Sequence, residues 1–187
     1  MNDALSPAST APAASPHGGV VDAARAGDRA AFASLFASHA AMVHGVALAR
    51  VGPADADDVV QETFIVALER IEGLRDAGAF GPWLAQIARN LATDVGRRRA
   101  RRRTEPLEPE ADIAAPGADG EARAEAERVL QALRALPEAY RETLVLRLVE
   151  GLSGPEIARQ VGMTDDSVRV NLHRGMKLLK EALAWER

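Results

Sequence analysis

Six arginines crowd into the stretch from Arg97 to Arg103, a density of fixed positive charge suited to phosphates. A second set, Arg169, Asn171, His173, Arg174 and Lys177, combines cations and amide groups of the kinds that pair with base edges or phosphates in a major groove. A third, Asp57, Asp58, Gln61 and Glu62, is acidic. Its spacings of three and four residues put Asp58, Gln61 and Glu62 on one helical face, distinct from the apolar one. On composition alone that acidic face reads as ordinary solvated surface.

Catalytic constellations are harder to find. The chain has no cysteine, which excludes disulfides and thiolate metal sites, and His17, His39 and His44 fall into no ligand pattern. No Gly-rich phosphate loop, metal cluster or Ser/His/Asp set emerges, so an enzyme is the weakest reading and no cofactor or metal is expected. The chemistry on offer is binding.

The elements that must position these groups follow from periodicity. Little aromatic content (4%) and abundant Ala, Leu, Arg and Glu favour helices throughout. Residues 1–19, rich in Ala, Pro and Ser, read as a disordered tail. From Asp28 the positions Phe32, Leu35, Phe36, Val43, Val46 and Ala47 mark one helix ending near Gly52-Pro53, and Val60, Phe64, Leu68 and Ile71 mark a second. After the turn-prone stretch Gly73 to Gly78, a third carries Phe80, Trp83, Leu84, Ile87, Leu91 and Val95 into the arginine run, with Phe80 and Trp83 expected as core anchors. These helices define a first unit over 20–103.

Residues 104–120 contain Pro106, Pro109, Pro116, Gly117 and Gly120 and read as a flexible linker. It is also acidic: the stretch from Glu105 to Glu127, which runs past the linker into the second unit, holds eight acids against the single base Arg123. The second unit, 121–187, shows four apolar stripes, at Val129, Leu133 and Leu136, at Leu144, Val145 and Leu148, at Ile157 and Val161, and at Val168, Leu172, Met176 and Leu179. Ser153 and Glu156 have capping-box spacing, Gly162-Met163 supplies a break, and Thr164 suits an N-cap, the pattern of a helix-turn-helix. The expected fold is all-α, two small helical domains on a flexible acidic linker, the second containing the helix-turn-helix.

Net charge is only -4, which alone argues against nucleic acid, but the basic and acidic segments are separate and the distribution carries more information than the sum. No apolar run reaches the roughly 18 residues of a membrane span and no signal-peptide pattern opens the chain, so a cytoplasmic location is expected. Binding functions stay open at this point: DNA reading, as by a stand-alone helix-turn-helix regulator that binds operator DNA as a dimer, a module that sequesters another regulator, or simply the solvated face of a helical hairpin.

Two motif blocks separate them. Leu136-Pro137-Glu138 through Leu183, with Glu150-Gly151-Leu152-Ser153 and Glu156-Ile157-Ala158, resembles the promoter-binding fourth region of extracytoplasmic-function (ECF) sigma factors. Asp57-Asp58-Val59-Val60-Gln61-Glu62-Thr63-Phe64, then Ala79-Phe80-Gly81-Pro82-Trp83-Leu84 through Ile87-Ala88-Arg89-Asn90, resembles the second region of the same family, in the expected order. Unrelated regulators share the helix-turn-helix but not the first block.

The resemblance implies a subunit that directs core RNA polymerase to promoters. It assigns Asp57, Asp58, Gln61 and Glu62 to the surface that docks the clamp helices of the polymerase's largest subunit. Asn90 falls beside the pocket for a flipped minus-10 base, where an amide offers both donor and acceptor. Leu74, Arg75 and Asp76 fall in the adjacent specificity loop, Leu74 to Gly78, and Arg97, Arg98 and Arg99 near minus-10 DNA. Arg169, Asn171, His173, Arg174 and Lys177 are assigned to the minus-35 element. The implied partners are core polymerase, promoter DNA and an anti-sigma factor, with no small-molecule substrate. The two promoter elements would lie about 25 base pairs apart, roughly 85 Å at ~3.4 Å per pair, so only a nearly extended linker would let both units reach them.

Overall fold

The computed structural model describes residues 18–104 and 120–185; nearly all of the expected tail and of the expected linker lie outside the described residues, and Gly18 and Gly19, expected in the tail, are instead helical. Eight α-helices follow in order: α1 (Gly18–Arg25), α2 (Arg29–Leu48), α3 (Pro53–Arg70), α4 (Phe80–Thr104), α5 (Gly120–Ala135), α6 (Glu138–Leu148), α7 (Gly154–Val161) and α8 (Asp165–Trp185). Two short 3-10 turns, Ile71–Gly73 and Ala77–Ala79, join α3 to α4. No strand occurs among the described residues, as the composition predicts.

Local chemistry sets several boundaries. Asp28 caps α2, its carboxylate accepting from the amides of Ala30 and Ala31 at 2.8 and 3.2 Å. Pro53 occupies the first turn of α3, where its missing N–H costs nothing. Helix α2 is apolar on nearly every side because it is central: it packs against α1, α3, α4, α6 and α7. Leu35, Met42, Val43, Val46 and Ala47 are wholly buried along it.

Both expected helical units are present, and they are docked on one another. Leu146, Ile157, Ala158, Val161 and Val168 of the second unit sit in the same core cluster as Val43, Phe64, Phe80 and Leu84 of the first. A second cluster joins Ala47, Val51 and Ala92 to Leu133, Leu136, Leu144 and Leu179. The reason is that α6 and α7 are apolar on more than one side: one side faces α8, and the other is buried only by docking on α2 and α4. The backbones come close at two glycines. A Cβ on Gly45 would lie 2.7 Å from Leu146, and one on Gly81 would lie 3.0 Å from the Gln160 carbonyl oxygen.

Three residues assigned to apolar stripes are instead largely exposed: Phe36 (44%), Leu68 (56%) and Leu148 (48%). Each lies at the margin of its stripe, where the helix turns away from the core. Phe80 is fully buried and Trp83 is packed against it, ring centroids 5.9 Å apart, as expected of core anchors.

Candidate polymerase and nucleic-acid interface

Helix α3 buries Ala56, Val59, Thr63, Phe64 and Ala67, leaving the opposite side to solvent. Asp57, Asp58, Gln61 and Glu62 are all exposed there. The same strip continues into Ile65 and Leu68, 52% and 56% exposed, flanked by Phe36, whose ring lies 4.5 Å from Phe64. The acidic end thus runs into an apolar end on one surface. Sequence reasoning missed Ile65 and misplaced Leu68, although both stand at helical spacing from Gln61. Asp58 and Glu62 also line a groove of about 340 Å³ against Leu91, Asp94, Val95 and Arg98 of α4.

On α4 the buried positions Phe80, Leu84, Ala85, Ala88 and Ala92 leave Gln86, Asn90, Thr93 and Arg97 on an outward face. The Gln86 amide donates to Asn90 Oδ1 at 2.9 Å, which orients the Asn90 side chain on that surface. Asp76 caps the turn before α4 by accepting from the Gly78 amide at 2.8 Å, and Arg75 beside it is exposed. Leu74 requires a correction: at 9% exposure it is part of the core, so its side chain is not on the surface of the loop. A leucine three residues from the buried Ile71 finds more apolar contact inward than in solvent.

The arginine run continues α4 as helix through Thr104. Arg99 is paired with Asp55 at the start of α3, and Arg97 lies 3.8 Å from Asp94, both pairs partly or largely exposed. Arg98 reaches the groove beside Asp58 and Glu62.

The helix-turn-helix is built as its sequence predicts. Ser153 Oγ accepts from the Glu156 amide while Glu156 Oε2 accepts from the Ser153 amide at 2.8 Å, a full capping box. Donation to that carboxylate from the Ser153 hydroxyl, at 2.6 Å, and from the Ser153 amide holds the Glu156 carboxyl below its ordinary value. Gly162 ends α7 at φ +75°, the left-handed conformation that favours glycine, and Thr164 Oγ1 accepts from the Ser167 amide at 3.2 Å to start α8. Gly175 lets α8 lie close on α6, where a Cβ would stand 3.0 Å from Leu144.

Arg169, His173, Arg174 and Lys177 are exposed on α8, with Arg169 held 3.0 Å from Asp166. Asn171 departs from the expectation. It is half-buried, and its amide lies 3.4 Å from both the Ala139 carbonyl and Thr143 Oγ1, so it ties α8 to α6. Val170, 40% exposed, shares the outer face with the cations.

Charged groups also join the two units. Glu142 of α6 accepts from Arg89 of α4 at 2.7 and 3.1 Å and pairs with Arg50, just beyond α2, at 2.8 Å. Burial pushes the Glu142 carboxyl up, but the Arg89 hydrogen bonds and the Arg89 and Arg50 charges outweigh it and hold the group below its ordinary value. Arg50 pairs with Glu138 as well, and His44 Nδ1 meets Glu150 Oε1 at 2.6 Å. Sequence spacing offers no signal for these partners, which are 53 to 106 residues apart.

Among the described residues no group of acids and histidines is arranged to hold a metal ion. The arrangement presents an acidic and apolar strip, a polar face with a basic extension, and a cationic helix behind a capped turn.

Comparison with known proteins agrees with this geometry. Residues 35–103 match Sigma-70 region 2, and residues 126–179 match Sigma-70 region 4. The chain is 37% identical over 175 residues to the ECF RNA polymerase sigma factor SigD of Mycobacterium tuberculosis, covering 88% of this chain and 82% of that protein. It is also 37% identical over 169 residues to SigE of Mycolicibacterium smegmatis, spanning 84% of this chain but only 65% of that relative's length. The solved structure of CnrH in complex with the cytosolic domain of CnrY aligns with a TM-score of 0.63 at 26% identity, covering 91% of this chain and 99% of CnrH. Two regions matched in order, on a fold that places each on its own helices, assign the chain: it belongs to the ECF RNA polymerase sigma factors.

Proposed function

We propose that this sigma factor binds core RNA polymerase through the exposed strip of α3 and reads a promoter at two points, one on α4 and one on α8, as a non-catalytic initiation factor. The observation that carries the reading is the coexistence of the two surfaces. The strip Asp57, Asp58, Gln61 and Glu62, extended by Ile65 and Leu68, has the mixed charged and apolar character of a protein-docking surface. Arg169, His173, Arg174 and Lys177 form an outward face on a helix that a capped helix-turn-helix presents to DNA.

Asn90, Arg75 and Asp76, with Arg97, Arg98 and Arg99 further along α4, form the minus-10 surface in this reading. Opening a base pair there costs unstacking energy, which an oriented amide and a phosphate-binding helix end help to offset. Asn171 supports the minus-35 reader by fixing α8 against α6 rather than by touching bases. A regulatory protein partner, of the anti-sigma kind the family resemblance implies, is part of the proposal. CnrH was solved with the cytosolic domain of CnrY, which supports a partner on a fold of this kind.

The test is transcription in vitro. Purified chain with core polymerase on a genomic fragment library should produce discrete new start sites that share two spaced upstream elements. Starts identical to those of core enzyme alone would refute the assignment.

A further inference from the structure

Helix α1 lies before residues 35–103, the stretch that matches Sigma-70 region 2, so the family match leaves it without a role. It is only 8 residues long, and isolated helices shorter than about 12 residues are marginal in water, so α1 forms because of what it packs on. The chain itself fixes one end. Gly27, at φ +91°, closes α1, its amide donating to the Ala24 carbonyl and the Asp28 amide to the Ala23 carbonyl, both at 3.0 Å. Asp28 then caps α2, so one residue ends the first helix and starts the second. The apolar side of α1, with Val21 at 0% exposure and Ala24 at 4%, faces the core.

What α1 backs is the loop between the two 3-10 turns. It lies against α2 and against both turns, Ile71–Gly73 and Ala77–Ala79. Val21 and Ala24 share a core cluster with Ile71 and Leu74, and Ala77 is packed against that cluster. The three residues between the turns have different duties. Leu74 is turned into the cluster, and Asp76 holds the Gly78 amide at 2.8 Å. Arg75 is left as the exposed side chain that the loop's own fold does not use.

A guanidinium is a rigid fork of donors, so how well it tells one base from another depends on where the backbone holds it. A short loop released from its anchor regains backbone entropy and samples many conformations, and the fork is then no longer aimed. The apolar wall behind Leu74 is therefore part of the reading device although it is buried away from any DNA.

We propose that α1 sets the minus-10 specificity loop: Val21 and Ala24, acting on Leu74 and Ala77, fix where Arg75 stands and so decide how sharply an extruded base is discriminated. Arg75 is the reader in this scheme and Val21 a positioning residue. The proposal rests on the sigma-factor reading of the loop and of Asn90.

The test is transcription by core polymerase with the full chain, on a promoter found by start-site mapping whose minus-10 and minus-35 elements are varied one base pair at a time. Val21→Ala removes apolar contact from the α1 side, Leu74→Ala removes it from the loop side, and Arg75→Ala removes the reader. Val21→Ile keeps the wall. Val145→Ala deletes the same atoms from a buried valine of the other core cluster and controls for stability. Far-UV circular dichroism checks that each variant is folded. A well-placed arginine discriminates bases by about tenfold or more, so Arg75→Ala, Val21→Ala and Leu74→Ala should each lower discrimination at the same minus-10 position by about fivefold. Minus-35 preference and core affinity should stay within about twofold of the parent in these three. Val21→Ile and Val145→Ala should keep the parent's minus-10 profile.

A parental minus-10 profile in folded Val21→Ala or in folded Leu74→Ala would overturn the proposal, and either variant alone is enough to decide. An equal loss in Val145→Ala would also overturn it, by making the effect one of general stability. If Arg75→Ala keeps the parent's profile, the proposal fails while the sigma reading stands. If even the parent adds no start site to core polymerase, the sigma reading falls and the proposal with it.

Discussion

Glu142→Gln isolates the charge of the seam between the two units from its shape. The substitution keeps the side chain's length and one acceptor oxygen, turns an amide donor toward an arginine in place of the other, and leaves Arg89 without an anionic partner and Arg50 with only the exposed Glu138. Removing one member of a buried ion pair costs about 3–5 kcal/mol. The one retained acceptor oxygen and the remaining Arg50–Glu138 pair reduce this, so we expect about 2–3 kcal/mol by urea denaturation at neutral pH. The pH dependence carries the sharper signature. Because the folded-state carboxyl is held below the ordinary 4.5, its contribution is fully present above that value and is lost as pH falls through the folded pKa. The gap between parent and variant should therefore stay constant from neutral pH down to about 4.5 and close at more acid pH. A gap that is absent at neutral pH, or that persists unchanged in acid, would refute the electrostatic account of the seam.

Three further outcomes follow from the surfaces. Asp58→Arg combined with Glu62→Arg should abolish capture of core polymerase in a pull-down while leaving the helical circular dichroism signal unchanged, since both side chains are exposed. Arg174→Ala with Lys177→Ala should weaken promoter binding and reduce the slope of log affinity against log salt by about one unit for each phosphate no longer neutralised. Gly162→Val should destabilise the chain by about 1–2 kcal/mol from its left-handed backbone alone, measured by denaturant titration, with further loss from the clash with Pro82.

Much of this was legible in the residues because it depends on local rules. The capping box at Ser153 and Glu156, the break at Gly162 and the cap at Thr164 are each decided within four residues, and each formed as spacing predicted. Exposure of Asp58, Glu62, Arg169 and Lys177 follows from the apolar stripes opposite them. What failed depends on tertiary partners. Leu74 reads as a loop residue until the core beneath it is known, and Asn171 reads as a DNA contact until α6 is seen to offer it two acceptors. The docking of the two units was the least legible feature. A proline-rich connection signals two units, but Leu146 and Ile157 serve a core shared with Val43 and Leu84, and stripes on separate helices do not reveal that they share one.

The central claim is that this chain confers promoter choice on RNA polymerase, and start-site mapping with purified components tests it most directly. With core polymerase and a genomic library, the account predicts discrete new starts that share two upstream elements and vanish with Asp58→Arg and Glu62→Arg. A chain that selects duplex DNA alone yet adds no start site to core polymerase would contradict it.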